Sequence, residues 1–184
     1  MSRTLLIALI VLGGWWWLRT PDGLPLEPEG SGLRMGDYRI TTLQDDFELT
    51  ARVLGYERYR SGREADLSPL DLALGWGPMA EPEIAAQFSI RQANRWYYWR
   101  TDALPIPRRE VETHSANMHM IPADEGVRDQ LLALGEGNLI VLSGKLVRVD
   151  ASDGWHWVSS LTREDTGNGA CEVVLVERVS VLAR

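Results

Sequence analysis

The residues best suited to chemistry in this sequence run from Glu112 to His119, where Glu112, His114, Asn117 and His119 fall within eight residues. Two imidazoles and a carboxylate are ligand types that zinc or iron accepts. Their spacing works against a shared ion. Five residues apart, the histidines diverge by about 140° on a helix and face opposite sides on a strand, so only a loop brings them together. The competing reading has one histidine capping a preceding helix and the other bonded to a backbone carbonyl, with Asn117 in a turn or pairing its amide with nearby backbone. No metal or cofactor is assigned on this pattern.

A second polar stretch, Ser159 to Gly169, gathers hydroxyls, Arg163, Glu164 and Asp165 around a glycine turn. Asp165-Thr166-Gly167 is the tripeptide of aspartic proteases, but that chemistry needs a second aspartate sharing a proton, and the sequence holds no second copy. A Ser–His–Asp triad can be written from Ser115 or Ser160, His119 or His156, and Asp165, yet no Gly-x-Ser-x-Gly elbow positions it. The plainer reading is a polar turn with Arg163 paired to Glu164 or Asp165. A third set is aromatic: Trp76, Trp96, Trp99, Trp155 and Trp157 offer faces on which sugars, peptides or bases stack. Tryptophan must also fill the interior of a chain whose two phenylalanines are Phe47 and Phe88. The candidate site is therefore Glu112, His114, Asn117, His119, Trp155, Trp157, Arg163 and Asp165.

The elements that position these residues follow a stretch of another kind. Leu5–Leu18 reads LLIALIVLGGWWWL, uncharged throughout, and as a helix it spans about 21 Å. A single-pass anchor at residues 1–19 is expected, with a cleaved signal peptide as the alternative; the Gly13-Gly14 pair makes a poor cleavage site, and three indoles suit the headgroup region. Residues 20–36, rich in proline and glycine, read as a linker. Residues 37–184 form one domain.

Within that domain Tyr38 and Ile40, then Phe47, Leu49, Ala51 and Val53 in alternation with polar residues, predict a half-buried strand. Ser68-Pro69 predicts a helix N-terminus leading through Leu70, Ala73 and Leu74 to Gly75, after a solvated loop at Arg63–Ser68. A second short helix follows from Pro82, then strands at Phe88–Arg91 and Arg95–Arg100, a helix from Pro107 to Thr113, and a helix capped by Asp124 that presents Val127, Leu131 and Leu134. Leu139–Val149 is the strongest strand, bent at Gly144, with Gly154–Leu161 as its partner and Cys171–Leu182, broken near Arg178, closing the sheet. The fold class expected is α+β: a small, curled, mostly antiparallel sheet, an OB-like and partly open barrel, with two or three short helices.

Three stretches, LSPLDLALGWGPM (Leu67–Met79), HSANMHMIPA (His114–Ala123) and SSLTREDTGNGACE (Ser159–Glu172), resemble those of a membrane-anchored protein family of proteobacteria. The resemblance implies a Gram-negative inner membrane with the domain in the periplasm. It implies no activity, cofactor or partner, and no functional residue is carried over from it.

A formal charge of −7 argues against nucleic acid as partner and against adhesion to anionic lipid. One cysteine, Cys171, gives no internal disulfide. Together these features favour a membrane-tethered extracytoplasmic module that binds a protein or a small envelope ligand. The alternative is a metal- or serine-dependent hydrolase of envelope material acting through Glu112, His114 and His119.

Overall fold

The computed structural model describes residues 26–29, 32–164 and 170–183. The expected anchor and Asp165 lie outside them, and among the described residues no helix is long and apolar enough to cross a membrane.

The described residues open with two antiparallel strands, β1 (Leu26–Glu29) against β2 (Gly32–Met35), and β2 pairs antiparallel with β3 (Tyr38–Arg58). This corrects the linker reading for residues 26–35. Leu26 and Leu33 pack on a cluster that includes buried Met35 and Ile40. A few well-placed apolar side chains thus outweigh the proline and glycine around them.

A larger correction falls at Leu70–Gly75, expected as a helix and folded as β4, with every residue buried. Leu70, Leu72 and Leu74 fit a period of two as well as a helical stripe, and β4 pairs on both edges, with β3 and with β7 (Ser115–Pro122). Such two-sided pairing overrides the helix propensity of leucine and alanine. The short helix here is instead α1 (Arg63–Leu67), in the stretch read as a loop. Next come a 3-10 turn at Gly77–Ala80 and α2 (Pro82–Ala85). A separate two-stranded sheet follows, β5 (Ser89–Ala93) with β6 (Trp96–Arg100), and then α3 (Arg108–Thr113) leads into β7. The histidine stretch is therefore divided, with Glu112 in α3, His114 capping its end, and Asn117 and His119 in β7.

Asp124 caps α4 (Glu125–Leu132) as expected, accepting from the Val127 amide at 2.8 Å. Then follow β8 (Leu139–Ala151), β9 (His156–Val158) and β10 (Glu172–Ala183).

The larger sheet runs β1-β2-β3-β4-β7-β10-β8-β9 and curls until β3 also pairs with β8. A ring of five strands results, β3-β4-β7-β10-β8, in which β7 and β10 alone run parallel. Mostly sheet, with four short α-helices among the described residues, it fits the α+β class. Its interior holds Leu72, Leu74, Met118, Met120, Leu142 and Val174, with Val127 and Leu131 of α4 packed into the same cluster.

Irregular pairing gathers around Gly144. The neighbouring strands lose register opposite it, β3 between Gln44 and Phe47 and β10 between Val176 and Arg178. A Cβ at Gly144 would fall 2.0 Å from the Leu175 carbonyl oxygen. Residues 76–114, between β4 and β7, lie outside the ring. Tyr97 and Trp99 of β6 cover an outer cluster of Leu54, Ala73, Met79, Phe88 and Val111.

Candidate functional site

Alternation along β4 turns Leu70, Leu72 and Leu74 inward and leaves Asp71 and Ala73 on the outer face. The register sets Asp71 opposite His119 and Ala73 opposite Asn117. Asp71, Asn117 and His119 are all buried there, beneath the β5–β6 hairpin. Carboxylates are rarely buried without a partner, and the partner comes from the hairpin turn.

Asn94 and Arg95 form that two-residue turn, both at positive φ, 54° and 66°. Positive φ at both central positions matches the twist of the flanking strands, and it sends the Arg95 side chain back under its own hairpin. The guanidinium donates to Asp71 Oδ1 at 2.7 Å and, through both terminal nitrogens, to the Ser68 carbonyl at 3.0 Å. It lies 3.6 Å from the Tyr59 ring centre, while its backbone amide donates to the Tyr59 hydroxyl at 3.1 Å.

Asn117 completes the network. Its amide donates to Asp71 Oδ2 at 3.2 Å and to the Arg95 carbonyl at 3.1 Å, and its oxygen accepts from Gln92 at 2.7 Å. His119 Nδ1 is 3.0 Å from Asp71 Oδ1 but out of line for a hydrogen bond, so the contact is electrostatic rather than directional. The ring packs on Trp157, with centroids 4.5 Å apart. At Nδ1, His119 thus makes no bond to the expected backbone carbonyl and faces a carboxylate instead. Desolvation raises the Tyr59 pKa above its ordinary 10.0, and the Asp71 charge adds to that effect.

His114 does what the capping reading expected: its Nδ1 lies 3.0 Å from the Glu110 carbonyl at the end of α3. Glu112 accepts from Arg108 one helical turn earlier, at 2.8 Å. Five residues of extended chain separate the two histidines by roughly 16 Å, and each is held by different partners. Among the described residues, no group of three His, Cys, Asp or Glu side chains is placed to hold a metal ion. Ser115, a triad candidate, donates its hydroxyl to the Val111 carbonyl at 2.6 Å and also meets the Tyr97 hydroxyl at 3.0 Å.

A cleft of about 410 Å³ opens beside this network. Trp96, Tyr97, Tyr98 and Trp99 of β6 form one wall, Trp76, Arg108 and Glu112 contribute to the sides, and Ser115–Asn117, Thr162, Arg163 and Ala170–Glu172 close the rest. Its cations are matched internally. Arg108 pairs with Glu112 and lies 5.1 Å from the Trp99 ring centre; Arg163 pairs with buried Glu172 and sits 4.9 Å from that of Trp76. Arg163 was expected on Glu164 or Asp165. Glu164 instead reaches Arg109 on α3.

Of the eight sequence candidates, Glu112, Asn117 and Arg163 line the cleft. Buried His119 belongs to the layer next to it, with half-buried Trp157 packed on its ring. Trp155 packs with Tyr38 and Trp157 on the cluster that holds Met35 and Ile40, and His114 stays at the end of α3. Asp71 and Arg95, which organise the region, were not among the candidates. The available signal was the carboxylate inside Leu70-Asp71-Leu72-Ala73-Leu74, which cannot be buried in such a run without a cation. Among the described residues the arrangement holds no paired nucleophile and base; it offers aromatic faces, hydrogen-bonding side chains and balanced charge. No family model matches the sequence, and neither curated proteins nor solved structures give a match.

Proposed function

We propose that this protein is a non-catalytic binding module, tethered by its N-terminal segment to the inner membrane and facing the periplasm, with the aromatic cleft as its ligand site. The single observation that carries the reading is the cleft itself: a concave space of ligand size with four aromatic residues on one wall and every arginine already matched. The ring supports a finer fold reading. Five strands in the order first, second, third, fifth, fourth, with the third and fifth parallel and a helix after the third, have the form of an OB-like barrel. Barrels of that type take ligands on the face of the second and third strands and on the loop before the fifth. In this chain those are β4, β7 and the segment leading into β10. The negative overall charge supports a protein or small envelope ligand over nucleic acid.

The test is thermal unfolding of the full chain with soluble peptides and with uncharged oligosaccharides. A site ligand at about 100 times its Kd stabilises by about 2.7 kcal/mol, and the resulting rise in Tm should disappear in Trp96→Ala. Ligands that stabilise Trp96→Ala equally, or that are chemically converted, would overturn the reading.

A further inference from the structure

Four consecutive strand residues, Trp96 to Trp99, line the cleft, although successive side chains of a strand point to opposite faces. That is geometrically consistent only if the cleft lies against the edge of β6. The edge is open: β6 pairs with β5 on one side and, among the described residues, with no strand on the other.

The hairpin register tells which backbone groups face out. Ala93 and Trp96 flank the two-residue turn and exchange both backbone bonds, and such pairs alternate along an antiparallel ladder. The N–H and C=O groups of Trp96, Tyr98 and Arg100 therefore point to β5, and those of Tyr97 and Trp99 point away from it. A second gap lies across the cleft. β7 pairs with β4 from Ser115 onward but joins β10 only from Met118, so among the described residues Ser115–Asn117 have no strand partner on that side.

Resting on the binding-module reading, we infer that the cleft takes an extended, uncharged peptide segment of a partner protein, which adds a strand to the open edge of β6. Main-chain groups at Tyr97 and Trp99 supply two donors and two acceptors at the spacing of alternate strand residues, which an extended peptide meets over about three to five residues. Charge complementarity selects an uncharged segment, because Arg108–Glu112 and Arg163–Glu172 are matched before any ligand arrives. Trp96, on the side of β6 opposite Tyr97 and Trp99, supplies a surface for the apolar side chains of the segment.

The experiment pans a phage-displayed library of short unstructured peptides against the full chain, followed by hydrogen exchange with a synthetic representative of those enriched. Expected are uncharged peptides with apolar residues at alternate positions, at least tenfold slower exchange at the Tyr97 and Trp99 amides, and at least tenfold weaker binding to Trp96→Ala. N-methylation of the peptide at alternate positions should weaken binding at least tenfold, and at the intervening positions leave it intact. The absence of enriched peptides, protection elsewhere, or indifference to N-methylation would overturn the inference. Chito-oligosaccharides that protect the cleft where peptides do not would overturn the peptide assignment and leave the binding module standing. If neither probe protects the cleft, both fail.

Discussion

Breaking the contact between Asp71 and Arg95 should loosen the domain far more than an ordinary surface ion pair would. Asp71 is fully buried and the Arg95 side chain only 17% exposed, and removing one member of such a pair leaves the other uncompensated at a cost of about 3–5 kcal/mol. Asp71→Ala also strips Asn117 of one of its two acceptors, worth about 1 kcal/mol. Arg95→Ala additionally loses both bonds to Ser68 and the Tyr59 stack, which places it towards the upper end of that range. The double variant no longer buries a lone charge, so it should cost about as much as the worse single change, a coupling of about 3 kcal/mol.

Urea unfolding of the four proteins at 25 °C, with unchanged slopes, measures the cycle. Backbone strain separates out in one further variant. At φ 66°, Arg95→Gly should be less costly than Arg95→Ala by about 1 kcal/mol. Arg95→Lys should restore little, because one ammonium does not reproduce a fork that spans Ser68 and Asp71. Single costs below about 1 kcal/mol that simply add would refute the reasoning, since a screened surface pair behaves that way.

Gly144→Ala should prevent ring closure or cost more than about 3 kcal/mol, because the added carbon meets backbone oxygen rather than a side chain that swings aside; circular dichroism and a melting curve would show it, and a near-normal Tm would refute it. Asp124→Ala should cost about 1 kcal/mol through loss of the bond to the Val127 amide, read as a shift in urea midpoint. At high pH, Tyr97 and Tyr59 should destabilise the fold. Burial raises both phenols above 10.0, so their contribution is complete below pH 10 and is lost as pH rises through the raised folded values. Tyr97→Phe should flatten that alkaline decline in a Tm series, and an unchanged slope would count against it.

The long elements were legible because each carries one dominant pattern. Leu139–Ala151 is aliphatic with a single glycine at its bend, and Glu125–Leu132 has a cap, an apolar stripe and a terminating Gly135. Leu70–Gly75 is ambiguous in the sequence because its leucines and alanine satisfy two periods, and only pairing on both edges decides between them. The candidate site was half legible for a related reason. Asn117 and Arg163 stand in polar stretches that attract notice, whereas Asp71 hides in an apolar run and Arg95 in a turn. Their meeting joins β4 to a hairpin that begins after two intervening short helices, which no local pattern encodes. His114 and His119 looked like a pair in sequence, and the strand pulled them apart.

The strand that seals the ring is also the one that follows every other ring member along the chain. β10 bridges β8 and β7, and β3 meets β8 across most of the domain, Tyr38 opposite Ala151. During synthesis from the N-terminus, the first three ring strands therefore wait with leucine and methionine faces uncovered until the final one emerges. Such non-local assembly is slow and vulnerable to association between unfinished chains. A chain stopped just before Glu172 would lack β10 and leave the ring open, which makes the approach to that strand a sensitive place for a premature stop.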